Sequence, residues 1–211
     1  MTQWVENPAG GRDRGPRALA RAWVEVLVRP RRFFENGVSP GDQAPGLAFA
    51  VAVAFVAVGG RLLVAPSSLS GYGRVAAATG SPLLTAVVVL GVACFLVAPL
   101  GLHLAAALAT LSLWPLVADR AGVGETVQVV AYAGAPTVLL AIPHPGLRLL
   151  AAGYGSVLLV VGLSVVHETS LPRAALAGAL PALFVFGYAL GGVAALETVA
   201  GAGLDAVDDA A

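Results

Sequence analysis

Apolar residues run in long blocks along most of this chain, and short polar or proline-bearing breaks separate the blocks. A bilayer core of ~30 Å takes about 20 apolar residues in a helix. Residues 46–65 meet that length with a single charge, Arg61, near the end. Between residues 75 and 118 nothing is charged, which predicts a long, tilted span over 82–113. A hairpin turning at Pro99, Leu100 and Gly101 would instead divide this run and give six spans. Its backbone groups would then go unsatisfied in lipid, so one span is expected. Three further blocks, over 126–142, 149–166 and 174–196, complete an all-α polytopic transmembrane bundle of five spans.

The segment before the first span has another period. Leu19, Ala22, Trp23, Val26 and Leu27 recur at helical spacing, and Arg17, Arg21, Glu25 and Arg29 repeat every four residues on another side. This is an amphipathic helix. Pro30 stops it, and Arg31, Arg32, Phe33 and Phe34 follow. Two cations beside two rings suit the phosphates and the acyl boundary of a bilayer. Residues 16–36 are therefore expected on the inner membrane surface. Trp23, Arg29, Arg31, Arg32, Phe33 and Phe34 form the lipid interface there, with anionic lipids as the partner. The chain thus divides into an N-terminal tail (1–44), a five-span domain (45–198) and a short acidic tail (199–211).

Composition narrows the class. The chain has 211 residues, of which 58% are hydrophobic and 11% charged. A soluble domain of that size could not hide so much apolar surface. Net charge is zero, so there is no basic field for nucleic acid. All twelve basic residues are Arg. Residues 1–44 lack a continuous apolar core, so no cleavable signal is expected and the first span serves for insertion. With five spans and the N-terminus inside, nine Arg fall inside (12, 14, 17, 21, 29, 31, 32, 120 and 173) and three outside (61, 74 and 148). That asymmetry fits the positive-inside rule and puts the C-terminus outside.

Motifs for chemistry are weak. His103 lies in an uncharged run, either as a functional ionisable group or as a neutral bond to a neighbouring helix. His144 reads as a loop residue. His167-Glu168 starts like HExxH, but Leu171 stands where the second His belongs. Cys94 reads as a small core residue. No catalytic, cofactor or metal residue is expected. Glycine and proline say more. Gly187 and Gly191 form a G-x-x-x-G step that allows close helix contact or oligomerisation. Pro99, Pro136 and Pro181 lie within spans, so their freed carbonyls need neighbouring helices. Tyr132 stands one turn before Pro136 and is expected to form a packing node with it.

Three stretches resemble the Yip1 domain family of membrane proteins. They are residues 27–34, with Pro30 followed by Phe33 and Phe34; residues 124–136, with Tyr132 and Pro136 four apart; and residues 167–181. The resemblance implies five spans, a cytoplasmic N-terminus, no catalytic centre and a prokaryotic-type member in the cell membrane. The expected role is a non-enzymatic scaffold, organising or adaptor component, with a small transporter or channel subunit as the alternative.

Topology gives a direct test. Reporter fusions after Leu116, His144 and Ala211 should read inside, outside and outside. An inside signal at Ala211 would replace the odd span count with six.

Overall fold

The computed structural model describes residues 15–208, with side chains described to residue 202. The inner placement of Arg12 and Arg14 and the acidic side chains of the 199–211 tail, Asp205, Asp208 and Asp209, lie outside the described residues. Among the described residues, five helices are long and apolar enough to cross a membrane: Ala44–Val64, Pro82–Leu113, Val123–Ala141, Pro145–Val166 and Leu171–Ala189. They alternate in direction, so Arg61, Pro82, Arg148 and Ala189 mark one end of the bundle. Gln128 and His167 mark the other.

The second span is one continuous helix, not a hairpin. Pro99 has no N–H, so the carbonyl of Phe95 loses its usual partner. The helix answers with a π turn over Ala93–Val97, in which the N–H of Ala98 reaches back to the carbonyl of Ala93. The third span changes register in a different way. Its α-helix ends at Ala133, and a 3₁₀ helix, Ala135–Ala141, carries it on with Pro136 in the first turn. The span expected across Pro136 thus accommodates the proline by a change of helix type. The fifth span keeps Pro181 inside its helix and widens into a π segment over Leu183–Ala189.

The last span stops earlier than 196. Gly191 has φ 74°, in the left-handed region, and a separate helix, Gly192–Asp208, follows. Gly187 and Gly191 therefore do not form one helical face. A Cβ on Gly187 would meet Leu183 and Val193 from its own stretch of chain. The close approach falls one residue later, at Gly192, where a Cβ would sit 2.8 Å from that of Ala152. The acidic tail expected from residue 199 is helical to residue 208.

The N-terminal segment forms two helices, α1 (Gly15–Val28) and α2 (Pro30–Gly37). This arm, expected apart on the inner membrane surface, is packed against the bundle. It packs along the third and fourth spans. The Trp23 indole N–H donates to the carbonyl of Ala135 at 3.0 Å, and the Tyr154 hydroxyl donates to the carbonyl of Leu27. Both acceptor and donor on the spans lie well inside them. Ala18, Ala22 and Val26, one turn apart, are the residues α1 buries. Phe33 and Phe34 are buried too, at 1% and 2% exposure, so neither faces lipid.

Phe33 stands edge-on to Tyr132 at 4.8 Å between ring centroids, and Phe49 does the same from the first span at 5.0 Å. Such edge-to-face pairs match the positive rim of one ring to the negative face of another. Phe34 enters beside Gly162, where a Cβ would stand 2.8 Å from its ring and 2.7 Å from Val129. The socket exists because residue 162 has no side chain. Gln128, fully buried, clamps the linker after α2. Its amide donates to the carbonyl of Ser39 at 2.7 Å and accepts from the Ser39 N–H at 2.9 Å.

Between helices in lipid, packing replaces water expulsion as the favourable term. Tyr132→Ala should therefore destabilise the bundle by about 2 kcal/mol, below the usual cost in a water-solvated core. Gly162→Val should expel Phe34 and release the arm. Melting in detergent and protease access at α1 check both. An arm still protected in Gly162→Val would contradict the socket.

A chamber between the spans

A cavity of about 550 Å³ lies between the first, second, third and fifth spans. Small residues create it. Ala50, Ala54 and Ala57 repeat along one face of the first span, and Ala98, Gly101 and Ala105 along one face of the second. Ala131 and Gly134 close the third side. The three irregular segments all border this space. Ala93 and Val97 come from the π turn of the second span, Thr137 and Leu140 from the 3₁₀ helix, and Phe184, Val185, Phe186, Tyr188 and Ala189 from the π segment of the fifth. Irregular turns of this kind recur at functional sites.

The polar groups gather at the Arg61 end. Arg61 is 8% exposed, and its side chain is held by neutral acceptors. Its Nε donates to Ser68 Oγ at 2.6 Å and its Nη1 to the carbonyl of Leu140 at 2.8 Å. Arg148 lines the same end and is near enough for its charge to act on Arg61. Neither forms an ion pair with a carboxylate among the described residues. Ser68 Oγ accepts from Arg61 and spends its one O–H on the carbonyl of Ala65 at 2.5 Å. Thr137 Oγ1 donates to the carbonyl of Gly134 at 2.7 Å. These are groups fixed in bonding roles, with two cations facing the cavity.

The opposite end of the bundle, away from the cavity lining, holds a buried imidazole. His167 caps the fourth span and is 1% exposed, with Nε2 3.3 Å from Thr126 Oγ1. Burial pushes its pKa from 6.5 down to about 4; Glu125 opposes the shift and Arg120 adds to it. His167 is thus neutral in the folded protein at neutral pH.

The chain belongs to the Yip1 domain family.

The model of that domain matches residues 24–193, from α1 to the start of the last helix. No curated protein and no solved structure matches the chain. The match and the five membrane-length helices make this an integral membrane protein of the Yip1 kind.

The residues singled out from the sequence are spread over the molecule. Tyr132 is fully buried beneath the chamber, within the aromatic cluster. Pro136 opens the 3₁₀ helix. His103 is exposed, with Nδ1 2.7 Å from the carbonyl of Pro99 and Nε2 3.2 Å from Gln43 Oε1, so it ties the second span to the approach to the first. Gly191 borders the chamber, where a Cβ would stand 3.0 Å from Arg148; Gly187 packs locally. Arg29, Arg31 and Arg32 are exposed on the arm, and Arg31 pairs with Glu35 at 3.1 Å. Trp23 is bonded to the bundle. Cys94 is buried in the second span, with Sγ 3.9 Å from the carbonyl of Val51, and His144 caps its own helix by accepting from the Gly146 N–H at 3.1 Å. Arg61, Arg148, Gln128 and Gly162 carry the geometry and were not chosen from the sequence. The visible signal for Arg61 was a cation inside an apolar block.

His167 gives a pH prediction. Its folded pKa lies below its unfolded one, so the unfolded chain binds the extra proton first. Its stabilising contribution is complete above about 6.5 and is lost as pH falls from there through about 4. The melting temperature in detergent should fall across that window, and His167→Gln should flatten that part of the profile. An identical slope in the variant would assign the loss to other groups.

Proposed function

We propose that this Yip1-family protein is a non-enzymatic membrane-organising component that holds a small ligand in the chamber between its spans. One observation carries the reading. A cavity of about 550 Å³, inside the ~300–1,000 Å³ range of small-molecule sites, carries two cations at one end, Ser68 and Thr137 hydroxyls that donate to carbonyls, and no His, Asp or Glu in its lining to activate Ser70 or Tyr188. Such a set binds and orients. An acyl- or phosphoryl-transfer site needs a nucleophile beside a base, and the hydroxyls of Ser68 and Thr137 are oriented as donors to backbone oxygen instead.

The arm and the exposed helix faces support the scaffold role. Arg29 and Arg32 point away from the bundle and are available to anionic headgroups. With the N-terminus cytoplasmic, those headgroups belong to the inner leaflet, and Arg61 and Arg148 face the outer side. The arm would report on the leaflet it touches, and the exposed small residues Gly73 and Gly153, each with open space around it, suit helix contact with another copy or another membrane protein.

A second reading, a small transporter, is favoured by the shape of the chamber. It reaches the exposed serines 68 and 70 at one end, and Val130 and Ala131 line it at the other. That is how one state of an alternating-access protein would look. Liposomes containing the purified protein separate the two. The organising role predicts saturable ligand binding with no flux above protein-free vesicles. Flux that disappears in Ala98→Phe, a side chain aimed at the chamber, would establish transport in its place.

A further inference from the structure

We propose that the chamber takes one acyl chain whose anionic, oxygen-bearing head sits on Arg61 and Arg148. This rests on the reading of the protein as a ligand-holding component and names the ligand's chemistry.

Charge is the first argument. Arg61 is 92% buried by its 8% exposure, yet its bonded acceptors, Ser68 and the carbonyl of Leu140, are neutral. A buried cation without an anion is costly. Arg148 adds a second positive charge beside it. Among the described residues no carboxylate pairs with either. An oxyanion placed between them would cancel both charges and take the remaining N–H donors, as carboxylates and phosphates do with guanidinium forks.

The walls supply the second argument. Beyond that polar end the lining is mostly Ala, Val, Leu, Gly and Phe down to Val130 and Ala131, with Thr137 and Tyr188 as its other polar side chains. Water gains little there, and a small polar anion would leave most of the space unfilled. From Arg61 to Ala50, the deepest lining residue of the first span, the helix rises about 17 Å at 1.5 Å per residue. That matches roughly half of a ~30 Å hydrocarbon core, the depth that one leaflet's chains fill. A head at Arg61 thus leaves its chain at the depth it would occupy in the bilayer. The ligand is an amphiphile of that length, with either a carboxylate or a phosphate head.

The test uses the full-length protein in phosphatidylcholine nanodiscs with four probes: oleate, oleoyl lysophosphatidate, monooleoylglycerol and inorganic phosphate. Oleate and lysophosphatidate should bind saturably, and whichever binds tighter identifies the head. Monooleoylglycerol, with the same chain and no charge, should bind at least tenfold more weakly, and phosphate without a chain should not saturate. Arg148→Gln should remove most of the preference for charge while the melting temperature holds. Arg61→Lys keeps the cation if Arg61→Gln does not fold. Ala98→Phe should abolish binding of both acyl anions. Equal binding of monooleoylglycerol, or unchanged binding in Ala98→Phe, overturns the proposal. Mass spectrometry of what is bound separates this from the broader reading. A different, uncharged ligand recovered intact sinks the head assignment and leaves the holding role. Chemical conversion of the added amphiphile sinks the holding role itself.

Discussion

In hydrocarbon a helix must satisfy its own backbone, because no water is there to do it. Three of the five spans carry a proline beyond their first turn, and each of these prolines removes one donor from that closed system. The chain restores the balance by changing helix type. The second span inserts a π turn before Pro99, the third tightens to 3₁₀ at Pro136, and the fifth widens to π after Pro181. A π turn is broader than an α turn and a 3₁₀ turn is longer per residue. Neighbouring helices with such mixed shapes cannot stay in ridge-and-groove contact along their whole length. All three irregular segments border the same space, so the chamber is where the mismatch collects.

Small side chains allow either close packing or a void, and the structure uses both. At Gly192 and Gly162 the missing side chain brings another element into contact. At Ala54, Ala98 and Gly101 it leaves room. The difference lies in what stands opposite. Gly162 faces the ring of Phe34, carried in by the arm, whereas the alanines face one another across helices held apart by their irregular turns. The arm therefore belongs to the bundle's architecture. Its two phenylalanines fill, on one side of Tyr132, the volume that Phe49 fills on the other.

Much of the fold was legible in the sequence because span length and the absence of charge depend only on local composition. The single second span could be inferred from the absence of a polar residue around Pro99. The arm was legible as a helix but not in its placement. An apolar stripe shows that something covers it, not whether lipid or protein does. Phe33 and Phe34 beside Arg31 and Arg32 have the composition of an interface; their socket is assembled from Val129, Tyr132 and Gly162, far along the chain. Gly187 and Gly191 read as a contact face only on the premise of a continuous helix, and the left-handed backbone at Gly191 ends it. The chamber could not be read at all. Its two cations are 87 positions apart by their numbers, 148 and 61, and become neighbours only when the first and fourth spans are aligned.

That alignment also explains why an arginine can stay inside an apolar block. An isolated guanidinium facing lipid would be driven to the interface by the length of its own stem. Arg61 instead turns inward, where Ser68 from the following loop and the carbonyl of Leu140 from the 3₁₀ segment meet it. The carbonyl is available because Leu140 lies in the last turn of its helix, where backbone acceptors have no partner within the helix. The proline-driven change to 3₁₀ thus brings a free acceptor to the buried cation, and the cation holds the end of that helix against the first span. The same backbone constraint that opens the chamber fixes the charge at its mouth.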